Sequence, residues 1–233
     1  MIELINGDCT QHIYNVVKRV KNPILVSDPP FNIGYGYKTY KDSMPEDEYF
    51  DMMEYVFTTA PCVIIHYPET LYKISYTLGM FPEKVCSWVY NSNTAKQHRD
   101  IAFFGVMPDM KKVRQPYKNP NDKRIQERIK KGSQGGRLYD WWNVNQVKNV
   151  SKVKCDHPCQ MPLEVMCNII GILPNDCTII DPFMGTGTTG LAVKEMNDRQ
   201  GVSRDFIGIK LDESYFEIAK DRLNTSKRDD NDD

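Results

Sequence analysis

Two short stretches carry the residue types and spacings that could do chemistry. In the first, the strand-like run Asn22-Pro23-Ile24-Leu25-Val26-Ser27 ends in Asp28-Pro29-Pro30-Phe31. Paired prolines cannot donate to a sheet ladder, so the strand must stop there and the chain must leave as a rigid loop. A carboxylate, a backbone carbonyl and an aromatic ring are thereby fixed in one corner. Those are the groups needed to grip a planar base and its exocyclic amine. In the second stretch, the β-branched run Cys177-Thr178-Ile179-Ile180 leads into Asp181-Pro182-Phe183-Met184-Gly185-Thr186-Gly187-Thr188-Thr189-Gly190 and then a helical segment over 191–196. A strand that ends in an acid, turns through close glycines and feeds a helix is a ligand-binding unit of a doubly wound sheet, because the backbone can approach closely and the helix start offers free N–H groups.

Gly185-x-Gly187-x-x-Gly190 formally matches the dinucleotide fingerprint. The carboxylate of Asp181 argues against a pyrophosphate, which it would repel, and favours a ligand with a cationic centre. S-adenosylmethionine carries a sulfonium and an ammonium and no phosphate. The plainer reading, an ordinary tight strand–helix turn, leaves Asp28-Pro29-Pro30-Phe31 unexplained. So does a nicotinamide enzyme, which also wants an acid at the end of its second strand.

The remaining elements must hold these corners. Glu3–Ile5 reads as a strand, followed by Gly7-Asp8-Cys9 and a helix over 10–21 with Ile13, Val16, Val17 and Val20 on one face. Residues 32–42, rich in Gly, Tyr and Lys, are too polar for core and suit a mobile lid over substrate. Helices are expected over 46–59, 69–78, 162–173 and 213–223, and strands over 62–66, 85–90, 101–106 and 206–211, with a polar turn at 91–100 and a polar connection at 197–204. Continuous apolar runs between helices predict parallel strands covered on both faces.

With 233 residues and 40% hydrophobic content, the chain suffices for one α/β core. Its net charge of -1 gives no argument for nucleic acid. The local distribution does: Lys111, Lys112, Arg114, Lys118, Lys123, Arg124, Arg128, Lys130 and Lys131 face only Asp122 and Glu127. That is the footprint of a phosphate-tracking surface. The competing reading is a solvated helix face, since Ile125 and Ile129 have helical spacing. Gly132–Gly136 reads as a flexible joint. Tyr139-Asp140-Trp141-Trp142 could stack on nucleic acid, although paired tryptophans more often anchor a loop. Seven cysteines without paired spacing suit a reducing cytosol. Cys155-x-His157-x-Cys159 lacks a second ligand pair, so no metal is expected. Neither a signal peptide nor a membrane span is apparent.

Together these motifs resemble the amino-group DNA methyltransferases. With the catalytic motif Asp28-Pro29-Pro30-Phe31 first and the cofactor motif at 181–187 late, the order is similar to that of the permuted β class. The resemblance also takes in Gly7-Asp8, His157-Pro158-Cys159-Gln160-Met161-Pro162, Phe206-Ile207-Gly208-Ile209 and Tyr215-Phe216. It implies one doubly wound, Rossmann-like α/β methyltransferase domain over 1–233, with a basic target-recognition insertion at about 107–150 and a disordered acidic tail at about 226–233. The implied reaction moves a methyl group from S-adenosylmethionine to the amine of a flipped base in double-stranded DNA. Adenine N6 stands ahead of cytosine N4, because the motif is led by Asp rather than Ser.

The implied catalytic residues are Asp28, Pro29, Pro30 and Phe31. The implied cofactor residues are Asp8, Cys9, Asp28, Gln160, Pro162, Asp181, Pro182, Phe183, Gly185, Gly187, Thr188, Thr189 and Lys210. The implied DNA contacts are Lys111, Lys112, Arg114, Lys118, Lys123, Arg124 and Arg128. A cytoplasmic location, a cognate restriction nuclease and a homodimer accompany this picture. Two departures stand out. Met161 replaces a usual Lys, a mild change. Lys210 replaces the acid that accepts hydrogen bonds from the cofactor ribose, and Lys has no acceptor. Asp212, on the same side of an alternating strand but about 6–7 Å further along, could replace it only if the strand end bends. The rival is therefore a methyltransferase-fold DNA-binding protein with weakened or lost cofactor binding.

Overall fold

A computed structural model describes residues 1–36, 40, 42–147 and 160–225. The Cys155-x-His157-x-Cys159 spacing and the acidic tail lie outside the described residues. The chain opens with β1 (Ile2–Asn6), α1 (Cys9–Lys18), β2 (Pro23–Ser27), α2 (Glu46–Phe57), β3 (Cys62–His66), α3 (Pro68–Thr77), β4 (Lys84–Val89) and β5 (His98–Phe104). The insertion contributes β6 (Arg114–Gln115), α4 (Lys123–Lys130), β7 (Gly136–Arg137) and β8 (Trp141–Asn143). The chain then returns through α5 (Leu163–Gly171), β9 (Thr178–Asp181), α6 (Thr188–Gln200), β10 (Asp205–Lys210) and α7 (Glu213–Thr225).

The main sheet has eight strands in the order β1-β10-β9-β2-β3-β5-β4-β8. The alternation on its central strands explains the layering, since successive side chains point to opposite faces. Ile24 and Val26 of β2 and Val63 and Ile65 of β3 pack with Val165, Ile169 and Ile170 of α5 and Ala192 and Val193 of α6. Leu25, Cys62 and Ile64 point the other way, toward Ile13 and Val16 of α1, Tyr49, Met53 and Val56 of α2 and Leu71 and Ile74 of α3. Both faces are thus covered, as a doubly wound sheet requires. No described helix is long and apolar enough to cross a membrane.

One expectation fails. The sheet is not wholly parallel, because β5 runs antiparallel to both β3 and β4. The connection from β4 to β5 is a short polar loop, too brief for the crossover that a parallel neighbour needs. β5 also begins at His98, inside the stretch expected to be a turn, and ends at Phe104. Its start, His98-Arg99-Asp100, is polar, so the apolar pattern marks only its second half. The reversal has a consequence for the site: it brings the start of β5 to the end of the sheet where β2 and β3 finish.

The order reverses between β9 and β2, which pair in parallel with Leu25 opposite Ile180. From β2 the chain winds toward β3, and from β9 it winds toward β10 on the other side. Ligands bind outside the carboxyl ends of strands at such a switch point. Asp28 and Asp181, each at the end of its strand, meet there.

Candidate active site

A cleft of about 370 Å³ opens at this switch point, lined by both chemical motifs. Of the residues expected from sequence, Asp8, Cys9, Asp28, Pro30, Gln160, Asp181, Pro182, Phe183, Gly185, Thr188, Thr189 and Lys210 line it. Pro29, Phe31, Pro162 and Gly187 do not line it. Pro162 precedes α5 as its N-cap, and Gly187 precedes α6. Gly185 and Gly187 hold φ of +54° and +80°, a left-handed region in which a side chain is strained. The turn that presents the start of α6 to the cleft therefore needs both.

The three acids have different local duties. Asp8 caps α1, accepting from the Thr10 amide at 2.9 Å and the Thr10 hydroxyl at 2.8 Å. The carboxylate of Asp181 is buried and held by the Ser27 hydroxyl at 2.7 Å, the Phe183 amide at 3.1 Å and the Thr189 hydroxyl. Burial pushes its carboxyl up to about 6, against the pull of those hydrogen bonds. Asp28 is likewise pushed up to about 6 by burial, opposed by the Arg99 guanidinium.

Sequence reasoning missed Arg99, which sits at the start of β5. Its Nη1 lies 3.2 and 3.3 Å from the two oxygens of Asp28. Its guanidinium carbon sits over the Phe31 ring at 4.6 Å and over the Trp88 ring at 5.2 Å. The only sequence signal was a charged residue set against an apolar strand. His66, at the end of β3, stacks on Phe31 with ring centroids 4.0 Å apart. The backbone amide of Tyr67 donates to His66 Nδ1 at 2.8 Å, so the proton belongs on Nε2, which faces the Tyr49 hydroxyl at 3.2 Å. That hydroxyl in turn donates to the Pro30 carbonyl at 2.8 Å. Burial and the nearby Arg99 charge lower the pKa of His66 to about 3, so the ring stays neutral and the relay keeps one direction. The loop at 28–31 is therefore pinned from α2 and β3. Phe31, expected to be free for stacking, already has both His66 and Arg99 against it.

The segment after Phe31 is less polar in its role than its composition suggested. Asp42 is buried and accepts from the amides of Asn32, Ile33 and Tyr35 at 2.8, 3.2 and 3.0 Å. Both ends of the expected lid are thereby tied together, while residues 37–39 and 41 lie outside the described residues.

At the far wall, Lys210 lines the cleft with Asp212. Burial lowers the Lys210 pKa, opposed by Asp212 and Asp181, and its Nζ sits 5.2 Å over the Tyr215 ring. Asp212 Oδ1 accepts from the Tyr215 amide at 3.0 Å and the Ser214 hydroxyl at 2.6 Å, at the start of α7. Leu211 forms a bend directly after β10, and residues 210 and 212 both line the cleft.

The basic segment divides. Lys111, Arg114, Lys118, Lys123, Arg124 and Arg128 are exposed, and α4 buries no residue. Lys112 is different: its Nζ donates to the Leu173 carbonyl at 2.8 Å and to Asn175 at 3.1 Å. A lysine holding the insertion onto the loop after α5 is committed to structure, which departs from its expected place among the DNA contacts. Trp142 is buried, its indole donating to the Tyr139 carbonyl at 2.8 Å, so it is the loop anchor of the pair. Trp141 stays half exposed and lies parallel to Tyr139. Among the described residues no cluster of His, Cys, Asp and Glu could hold a metal.

Comparison with known proteins places this geometry. The DNA methylase family of N6/N4 type matches residues 72–221. The Type II methyltransferase M.HpaI of Haemophilus parainfluenzae is 27% identical over 91% of this chain and 73% of its own length. The Type II methyltransferase M.BglII of Bacillus subtilis is 25% identical over 93% of this chain and 67% of its own. In fold, the chain is similar to M1.HpyAVI in complex with S-adenosylmethionine, with a TM-score of 0.60, 21% identity, and coverage of 96% of this chain and 100% of that one. By its motifs, its doubly wound sheet and this family match, the chain belongs to the N6/N4 amino-group DNA methyltransferases, enzymes that take S-adenosylmethionine as cofactor.

Proposed function

We propose that this chain is a single-domain, sequence-specific enzyme that methylates adenine N6 in double-stranded DNA. The observation that carries the proposal is that Asp28, led out of β2 by two prolines, opens into the same cleft as Asp8, Asp181 and the glycine turn of β9. An Asp at the head of the catalytic corner, rather than Ser, favours adenine over cytosine. When bound, the cofactor supplies an activated methyl group on a sulfonium.

The donor set fits such a ligand. Asp8, Asp181 and Asp212 surround a cationic molecule with acceptors, and the turn at 185–187 lets the backbone close on it without a phosphate. Asp212 lies in the cleft with Lys210 and supplies the carboxylate acceptor that a lysine cannot, which supports a cofactor-binding enzyme over the DNA-binding rival. The residues of the corner act on the base. An exocyclic amine is a poor nucleophile while its lone pair is delocalised into the ring. Asp28 and the Pro29 carbonyl accept its two N–H bonds and draw it toward a tetrahedral shape. Tyr49 and His66 hold the loop that presents those acceptors, so positioning supplies most of the acceleration. The amine cannot be reached inside a duplex, so the base is flipped out. The exposed cations Lys111, Arg114, Lys118, Lys123, Arg124 and Arg128 track phosphates. The Type II designation of the relatives supports a cognate restriction nuclease as genetic partner.

Asp28→Ala tests the assignment. Methyl transfer, followed with tritiated cofactor, should be lost while duplex binding in a gel shift is retained, because this carboxylate meets the amine and no phosphate. Near-native turnover would remove Asp28 from catalysis. Base-resolution modification sequencing of DNA from a methylation-free host expressing the chain identifies the methylated base and its site.

A further inference from the structure

We infer that Arg99 is a resident stand-in for the flipped base: it fills the base site of the DNA-free enzyme and must withdraw before methylation. The inference rests on the assignment of Asp28 and Phe31 as the groups that receive the base.

The flipped base has to make two contacts in this corner, an N–H hydrogen bond to the Asp28 carboxylate and a stack on the Phe31 ring. Arg99 already makes both. Its Nη1 points N–H bonds at the two Asp28 oxygens from 3.2 and 3.3 Å, and its planar guanidinium lies over Phe31 at 4.6 Å. A guanidinium resembles the amidine edge of an adenine in being planar, delocalised and rich in N–H donors. Phe31 also carries His66, stacked with ring centroids 4.0 Å apart, and a six-membered ring has room for only one planar neighbour on each face. His66 is held in turn by Tyr67 and Tyr49 at 2.8 and 3.2 Å, so it is the fixed partner.

Arg99 is less completely satisfied than its burial would lead one to expect. It is only 9% exposed, yet its Nε has no hydrogen-bond partner among the described residues. Buried N–H groups are nearly always paired, so an arginine placed solely for stability would be poorly designed. An arginine that alternates between two positions need not be saturated in either. Its benefit in the resting state is clear: it keeps a desolvated carboxylate paired and an aromatic face covered until DNA arrives.

The consequence is a conformational charge on DNA binding. If the base site is open in about a tenth of the molecules, apparent affinity for the flipped state falls about tenfold relative to an enzyme with the site clear. The probe is a duplex carrying the mapped recognition site with 2-aminopurine in place of the target base, whose emission rises when it leaves the stack. Wild type, Arg99→Gln and Arg99→Lys are compared, with calorimetric binding of S-adenosylmethionine as the check on folding, since Arg99 does not line that cleft. Arg99→Gln should bind the duplex about tenfold more tightly with higher 2-aminopurine emission. Arg99→Lys, which keeps the charge but loses the planar fork, should fall between.

Unchanged or weaker binding and emission in both variants, with cofactor binding intact, would overturn the inference and leave Arg99 as a fixed support of Asp28. If neither variant folds, a crystal structure of the wild type on the duplex decides. Arg99 withdrawn from Asp28 supports the inference, and Arg99 still within about 4 Å of it beside an extrahelical base refutes it. Failure of the underlying assignment is separately visible, because methyl transfer would then survive Asp28→Ala.

Discussion

Replacing Asp181 with Asn should stabilise the cofactor-free protein at alkaline pH while weakening its hold on the cofactor. Asp181 is fully buried and titrates at about 6 rather than in the usual carboxylate range, chiefly through burial. A carboxyl displaced by roughly two pH units carries about 3 kcal/mol of differential free energy. The sign follows from linkage. Below about pH 4 the group is protonated in both folded and unfolded chains and contributes no penalty. As pH rises through about 6 the folded protein must ionise a desolvated acid, and that stability is lost. Asn never ionises, so its advantage over the wild type should grow by about 3 kcal/mol between pH 4 and 8. The constant offset should be small, on the order of 1 kcal/mol. The Asn carbonyl can still accept from Ser27 and Phe183, and the Thr189 hydroxyl can turn to accept from the new NH₂. Asp28 titrates in the same range, but it is common to both proteins and largely cancels in the difference. Urea unfolding of both proteins, without cofactor, at four or more pH values reads the effect directly. Parallel stability curves would refute the idea that desolvation of Asp181 is costly. Calorimetric titration at pH 8 should show the stabilised variant binding S-adenosylmethionine more weakly, because an anion facing a cationic ligand has been removed.

Three further outcomes are expected. Neutralising Lys123, Arg124 and Arg128 together should lower duplex affinity and flatten its log–log salt dependence by about three, whereas an unchanged slope would make α4 a plain solvated helix. Asp212→Asn keeps the ability to cap α7 but loses its charge, so cofactor affinity should fall roughly ten- to a hundredfold with little change in melting temperature; equal affinity would mean the ribose is held elsewhere. Gly190→Ala should destabilise the fold by about 1–3 kcal/mol, because its Cβ would stand 2.6 Å from Phe206 Cε1 and 2.9 Å from Leu223 Cδ2; a melting temperature equal to wild type would show that the helix shifts freely.

The sequence by itself determined the parts whose physics is local. Paired prolines after Asp28 end a strand whatever surrounds them, and glycines at 185 and 187 mark a tight turn that a ligand can approach closely. Continuous apolar runs at 24–26 and 62–65 name strands covered on both faces, and these lie at the centre of the observed sheet. What the tertiary structure decided depends on which distant segments meet. The reversal of β5 could not be read locally, since strand direction is set by pairing partners and the length of the connection. That reversal is what carries Arg99 to Asp28, 71 positions away in sequence, and lets a cation occupy a corner that the motif shows as open. Lys112 is a similar case. A lysine in a basic run is legible as charge, but whether the charge faces DNA or a carbonyl of the Leu173 loop is fixed only by packing. Asp212 shows the same limit at shorter range: strand alternation put it on the correct side, and only the bend after β10 brought it beside Lys210 in the cleft.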